Sequence, residues 1–410
     1  MCFTLKFRLL EDKEFMDFVK TSEQNNFFQT TYMRDKFKMD GLESFIVGVE
    51  CDGKIVCAGL LTDTGYRFLG KRVFEAYRGV IMDYNNLDLV KFFTNEVKKF
   101  LKSKNCYRLI INPYIMNVSR DRDGNIIEGI DNRKIKDMLY SLGYRENPNP
   151  SQVKWCYSLD LSPDANLLFK EFKGNTRNCI NKTMKKYKLR IRDVDKEHLD
   201  EFKKITMEAS SKHHFNDKDL TYYERMYDAF KDKVTFKIVE LDLDIYIDTL
   251  LEEKKNLEER LSKLVDTVNN KKREEALKDI EFNKNRLDKA YKLKEEEGSV
   301  IPLSAAMFML YGDEIIYLFS GSYDKYMEYY GQYLLQWDII QYGCKNGYKK
   351  YNFYGIEDPT DPTIKDRGVH EFKKGFKGYV DEKLGSFIIG ISFLDKLHAF
   401  LSKVKGCFRK

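Results

Sequence analysis

The residues best suited to chemistry lie between Tyr351 and Gly378, where the chain reads YNFYGIEDPTDPTIKDRGVHEFKKGFKG. A short aromatic strand passes through a loop carrying Pro359 and Pro362 and closes on Phe372-Lys373-Lys374-Gly375-Phe376. A strand end, a loop and a cation held between two aromatics is where an open sheet places a ligand. The same residues also fit a surface loop with solvated lysines, so the rest of the chain has to decide. A second concentration of charge runs from Lys170 to Arg192, with nine cations against the single acid Glu171. That density suits phosphates or an anionic lipid surface, and it also suits a solvated helix face.

Other chemistries find less support. Cys2, Cys51, Cys57, Cys106, Cys156, Cys179, Cys344 and Cys407 form no CxxC pair, so they read as reduced thiols rather than a disulfide or zinc framework. His213-His214 is the one histidine pair and has no acidic or cysteine partner at ligand spacing, so no metal is expected. With 410 residues, 42% hydrophobic and 14% aromatic, the chain is globular and long enough for two or more domains. No apolar run approaches the ~18 residues of a membrane span. The opening MCFTLKFRLLEDKEF is broken by charges before a secretory core could form, so a cytoplasmic protein is expected. A net charge of +6 permits polyanionic partners without demanding them.

The elements that must position these residues recur. Phe15, Phe18 and Val19 mark a helix, residues 45–49 a strand, Asp52-Gly53 a hairpin turn, and residues 55–61 and 73–82 two more strands. Leu89, Phe93, Val97, Phe100 and Leu101 then mark a helix before a strand at 107–111. From Lys196 the order repeats: a helix at Leu199, Phe202 and Ile205, strands at 234–241, 302–311 and 314–319, a helix at 332–344 and a strand at 348–353. The offset is roughly 190 residues, which argues for two copies of one α/β unit. Where the first copy turns at Asp52-Gly53, the second carries residues 243–298. Leu250, Leu257, Leu261, Leu264 and Val268, then Ile280, Leu287 and Tyr291, follow heptad spacing around Asn269-Asn270. Two antiparallel helices of ~22 residues would project ~33 Å as an arm, serving either dimerisation or contact with a large partner such as RNA. At the C-terminus Phe393, Leu394, Leu397, Phe400, Leu401 and Val404 share a helix with Lys396, Lys403 and Lys405, suited to packing on the body or resting on an anionic membrane. The expected division is a first unit at 1–160, a second at 161–242 and 299–385, a coiled-coil arm at 243–298 and an amphipathic helix at 386–410.

Several runs resemble the FemABX family of aminoacyltransferases: Phe27 to Gln29, Tyr77 to Tyr84, Asn112-Pro113-Tyr114, Tyr333 to Trp337, Tyr351 to Ile356 and Phe372 to Phe376. They span nearly the whole chain in family order. The resemblance implies an α/β (α+β) fold of two tandem acetyltransferase (GNAT)-like units with a helical hairpin inserted in the second. It also implies transfer of an amino acid from aminoacyl-tRNA to the stem-peptide lysine, or the growing bridge, of a peptidoglycan precursor, either lipid II or UDP-MurNAc-pentapeptide. No cofactor is then needed beyond aminoacyl-tRNA as co-substrate. The glycine, serine or alanine donor is left open, as is assembly with itself or with paralogues.

By the same resemblance Lys373 stabilises charge at the reacting centre and Phe372 shapes the pocket, while Arg78 and Tyr354 in the matched runs belong to the substrate site. The family's pyrophosphate-contacting lysine falls at Phe37, leaving Lys36 and Lys38 as alternatives, and its arginine-tyrosine pair falls on Lys218 and Tyr222. Asn112 stands where many relatives have aspartate. An amide cannot take the proton of the attacking amine, so a relay through the tRNA ribose or water is expected. Two other classes compete. An acyl-CoA N-acyltransferase would need a glycine-containing pyrophosphate loop before one of the long helices, and neither Asp83-Tyr84-Asn85-Asn86 nor Tyr329-Tyr330-Gly331-Gln332 supplies it. A non-catalytic protein would use the arm alone, for RNA binding or dimerisation.

Overall fold

The computed structural model describes residues 4–213, 217–264, 270–363 and 367–407. Among them the chain builds two mixed sheets. The first has strand order Leu5–Leu9, Ser44–Cys51, Lys54–Phe68, Lys71–Ala76, Cys106–Ile111, Phe387–Gly390, Arg145–Glu146, with Ile81–Met82 paired to Lys54–Phe68. The second runs Arg190–Asp193, Val234–Asp242, Val300–Tyr311, Glu314–Ser322, Lys350–Gly355, Trp155–Asp160, Tyr379–Lys383, Met116–Arg120, Ile126–Asp131. Each sheet has one parallel pair, Lys71–Ala76 with Cys106–Ile111 and Glu314–Ser322 with Lys350–Gly355, and a helix crosses over between its strands. A parallel connection needs such a crossover, and both copies provide it. In the helix Leu87–Ser103 the predicted stripe of Leu89, Phe93, Val97 and Leu101 is buried against the sheet.

The unit boundaries differ from those drawn on the sequence. Met116–Arg120, Ile126–Asp131 and Trp155–Asp160 lie within the span assigned to the first unit, yet they pair into the second sheet. Phe387–Gly390 lies in the span read as the start of the C-terminal helix, yet it pairs with Cys106–Ile111 and Arg145–Glu146 of the first sheet. Local periodicity cannot report such exchanges, because they depend on which edge a distant strand reaches. The helix Leu394–Cys407 follows and is tied to the first sheet by Asp395, which pairs with Arg108 at 2.6 Å and Arg145 at 2.6 Å. Phe393 and Phe400 remain 72% and 64% exposed.

Asp52 and Gly53 both take positive φ (48° and 81°), as a two-residue hairpin requires. At the matching place in the second unit stand the helices Leu243–Ser262 and Asn270–Glu297. They lie side by side, joined by the Arg286–Glu253 ion pair at 2.9 Å and by Asn283 Nδ2 donating to Leu250 O at 3.2 Å. The inward face of the second helix is Ala276, Ile280, Asn283, Leu287, Ala290 and Leu293. Tyr291, placed on the seam by the sequence reading, is 49% exposed, because the alanines and Asn283 carry the stripe past it. Val268 and Asn269 lie outside the described residues.

Candidate active site

Lys373 is positioned by the helix Gly368–Lys374, and the strand Lys350–Gly355 meets it. The parallel pairing of the second sheet stops at Ile316 and Asn352, so the strand ends diverge and leave the carbonyls beyond them without a parallel neighbour. Tyr354 sits there at φ 63°, and Lys373 Nζ donates to Gly355 O at 2.6 Å and Tyr354 O at 3.4 Å. Lys373 is 5% exposed and has no carboxylate at ion-pair distance among the described residues. Burial therefore pulls its ammonium down to about 7. The adjacent Lys374 is the opposite case, paired with Asp123 at 2.6 Å and Glu371 at 3.1 Å. Phe372 packs edge-on against Tyr333 (4.9 Å) and Phe376 (5.5 Å).

Arg78 comes from the first unit, held by its positive φ of 51° and by its carbonyl, which accepts from Asn26 Nδ2 at 3.0 Å. Its buried side chain hydrogen-bonds Tyr354 and lies 5.4 Å from the Tyr114 ring. Arg78, Tyr354, Tyr114, Asn352 and Phe28 line a small cavity between the units. The buried Cys156 pairs with Gly355 on one side and Asp381 on the other, so the Lys373 end and the next polar group share one sheet.

That group is buried and charged. Lys350 Nζ reaches Glu314 at 2.8 Å and Asp381 at 3.4 Å, Lys383 reaches Asp381 at 2.9 Å, and the Tyr114 hydroxyl donates to Glu314 at 2.7 Å. The two ammonium groups outweigh burial and hold the Asp381 carboxyl well below its usual range. The group floors a cleft of about 630 Å³ whose walls include Gln24, Met82, Met116 and Ile130. Tyr114 is the wall this cleft shares with the Arg78 cavity.

A third group joins the helices Thr31–Met39 and Leu220–Phe230, one from each unit. Lys36 Nζ lies 4.1 Å from the centre of the Tyr222 ring and 2.6 Å from Asp40, Lys218 Nζ lies 5.4 Å from the same ring, and Arg225 pairs with Asp40 at 2.8 Å. Lys36 and Arg225 thus share one carboxylate, with Lys218 over the same ring. Burial lowers the Lys36 ammonium, and the charges of Lys218 and Arg225 add to the effect against Asp40. Among the described residues the cluster carries an excess of positive charge, which suits an anion.

The FemAB family profile matches residues 10–403. The chain belongs to the FemAB family. It is 30% identical over 400 residues to the aminoacyltransferase FemA of Staphylococcus epidermidis, covering 94% of this chain and 95% of that protein. The aminoacyltransferase FemA of Staphylococcus aureus is 29% identical over 400 residues, with the same coverage of both chains. The crystal structure of FemX superposes with a TM-score of 0.72 at 20% identity, over 93% of this chain and 96% of that one. A tandem GNAT protein from the clavulanic acid biosynthesis pathway superposes with a TM-score of 0.51 at 9% identity, over 95% and 99%. The fold is two GNAT-like units in tandem, as the FemABX resemblance implies.

Within this FemAB protein the residues singled out on the sequence separate clearly. Lys373, Tyr354 and Arg78 come together, Phe372 packs on Tyr333 and Phe376, and Lys36, Lys218 and Tyr222 form the second cluster. Lys38 does not join them, because it lies on the exposed face of its helix. Asn112 is not at the site either. Its buried amide donates to Glu75 Oε1 at 2.8 Å and accepts from Ser386 Oγ at 2.7 Å, so it ties the end of one first-sheet strand to its neighbours. Burial pushes the Glu75 carboxyl up to about 7 against the hydrogen bonds from Ser151 and Tyr77. Sequence reasoning missed Arg225, Glu314, Lys350, Asp381 and Lys383. The available signal was Asp381 and Lys383 at i, i+2 in the strand Tyr379–Lys383, which puts two opposite charges on one face of a sheet.

Proposed function

We propose that this FemAB enzyme transfers an aminoacyl group, glycyl, seryl or alanyl, from aminoacyl-tRNA to the amine of a peptidoglycan precursor, at the stem-peptide lysine or the growing bridge. The observation that carries this reading is Lys373, a buried ammonium with no carboxylate partner among the described residues at the diverging strand ends, together with a cation cluster that spans both units. The cluster of Lys36, Lys218 and Arg225 suits the pyrophosphate of a lipid-linked or nucleotide-linked precursor.

An aminoacyl ester is already activated, so the chemistry asks for alignment and charge stabilisation rather than a nucleophilic side chain. The precursor amine attacks the ester carbonyl carbon and a C–N bond forms, giving a tetrahedral oxyanion to which Lys373 Nζ donates. The ester C–O bond then breaks, and the proton lost by the amine passes to the departing ribose oxygen directly or through water. No protein carboxylate takes it, in keeping with Asn112 being tied to Glu75 and Ser386. The exposed Phe393 and Phe400, with Lys396 beside them, support peripheral contact with an anionic membrane during work on a lipid-linked acceptor.

The test is transfer of labelled glycine, serine and alanine from charged tRNA to lipid-linked and nucleotide-linked pentapeptides. Wild type should use at least one pair, and Lys373→Ala should lose on the order of 10²–10³ in kcat, the usual cost of one oxyanion donor. No transfer from any donor to either acceptor, including one already carrying a first bridge residue, overturns the reading.

A further inference from the structure

The cations between Lys170 and Arg192 are not used alike. Lys173, Arg190 and Arg192 are spent on carboxylates, pairing with Glu371, Asp242 and Glu201. Lys182 and Lys186 have no carboxylate at ion-pair distance among the described residues, although both are half-buried. Each lies against an aromatic ring instead. Lys182 Nζ is 5.3 Å from the centre of the Tyr330 ring, and Lys186 Nζ is 5.6 Å from that of Phe282. The two lysines are a turn apart on the helical stretch Lys182–Lys186, while Phe282 belongs to the arm and Tyr330 to the body. Phe282 is 60% exposed.

The row continues toward the reacting centre. The Tyr330 and Tyr333 rings are 6.1 Å apart, Tyr333 and Phe372 are 4.9 Å apart, and Lys373 follows Phe372. Tyr330 holds the left-handed conformation (φ 61°) at the start of the helix Gly331–Lys345, and no side chain caps that helix. Aromatic faces alternating with uncommitted cations are the recognition surface of a single-stranded nucleic acid, where bases stack and phosphates are neutralised.

We propose that the unpaired 3′ end of an RNA lies along Phe282–Lys186, Tyr330–Lys182 and Tyr333–Phe372, bringing its terminal ribose to Lys373. This rests on the aminoacyl-tRNA reading and adds to it the path of the donor and a purpose for the root of the arm, which supplies Phe282.

The test is fluorescence anisotropy of a labelled six-nucleotide single-stranded RNA ending in CCA with the full-length protein, run beside transfer from charged tRNA. Phe282→Ala and Tyr330→Ala should each weaken binding roughly 5- to 150-fold, as for the loss of one stacked base. Lys182→Ala with Lys186→Ala should flatten the dependence of log affinity on log salt by about 1.4, at ~0.7 per phosphate of a single strand. Lys99→Ala, which removes one charge from the first unit, should change neither. Phe282 is exposed, so its variant keeps the assay decisive even where another variant fails to fold. If wild type binds the RNA and the variants bind as well, the path is overturned and the donor reading stands. Transfer without RNA binding overturns the path alone, and neither transfer nor binding overturns both. Variants that bind RNA normally but lose binding to phosphatidylglycerol vesicles overturn the path in favour of a membrane surface.

Discussion

In the first unit the parallel strands Lys71–Ala76 and Cys106–Ile111 stay paired to their ends, and the helix Leu87–Ser103 is capped by Asn86 Oδ1, which accepts from Leu89 N at 3.1 Å. In the second unit the equivalent pairing stops after three residues, and the helix Gly331–Lys345 begins without a side-chain cap. One topology has thus been closed in one copy and left open in the other. The closed copy satisfies its strand ends internally: Asn112 bonds Glu75 and Ser386, and the Asn112 N–H donates to Gly79 O at 2.8 Å. The open copy leaves carbonyls for Lys373 and starts its helix after a left-handed Tyr330 that lies beside Lys182. Duplication followed by closure of one half gives a rigid support for the half that keeps an unfilled end.

The largest expected effect separates these ends by kind. Lys373→Ala should cost on the order of 10²–10³ in kcat with folding intact, whereas Asn112→Ala should cost ~1–3 kcal/mol of stability through the hydrogen bonds lost to the buried Glu75 and Ser386 and leave turnover within tenfold. Thermal melts beside single-turnover rates decide it. A turnover loss of two or more decades in folded Asn112→Ala would move the chemistry into the closed unit and break the comparison.

Next come the two lysines that flank Phe37. Lys36→Ala should raise KM for the precursor by about 10- to 150-fold, the worth of one hydrogen bond to a charged group, and leave kcat little changed. Lys38→Ala should leave both where they are. Equal effects from the two would mean that the pyrophosphate lies outside the cluster of Lys36, Lys218 and Arg225.

The pH dependence sharpens the role of Lys373. Burial lowers its ammonium to about 7, so the charged form is complete below that pH and is lost as pH rises through it. Charge stabilisation therefore predicts that kcat falls on the alkaline side of about 7. Lys373→Arg keeps its charge throughout and should lose that limb even though its rate is lower. An unchanged limb in the arginine variant would assign the titration to another group.

How much of this was legible beforehand varies with the kind of signal. Elements came through where periodicity is local, as in the Leu89–Leu101 stripe and the Asp52-Gly53 turn. The Phe372-Lys373 pair and the Lys218-Tyr222 pair were named residue by residue through a family resemblance, and the structure sets Lys373 at the strand ends and Lys218 over the Tyr222 ring. What stayed hidden depends on long-range placement. The return of Phe387–Gly390 to the first sheet and the placing of Trp155–Asp160 in the second are set by sheet edges hundreds of residues away. That Lys36 rather than Lys38 meets Tyr222 follows from the face of a short helix that packs on Leu220–Phe230 of the other unit. Lys350, Asp381 and Lys383 were scattered charges in the sequence and become one group only when three strands align.

The smallest effects test the comparison at the two helix starts. Asn86→Ala removes an N-cap and should cost about 1 kcal/mol. Tyr330→Gly acts on the other helix in the opposite sense: glycine takes the left-handed conformation without strain, a gain of about 1 kcal/mol set against the lost ring contact with Tyr333. Its net stability should therefore stay within ~0.5 kcal/mol of wild type. A Tyr330→Gly protein that is as stable as wild type and fails to bind RNA would show that the second unit tolerates a left-handed tyrosine for the sake of its ligand. A protein destabilised as much as Asn86→Ala would show that both helix starts are structural caps, and that the asymmetry between the units lies in the strands alone.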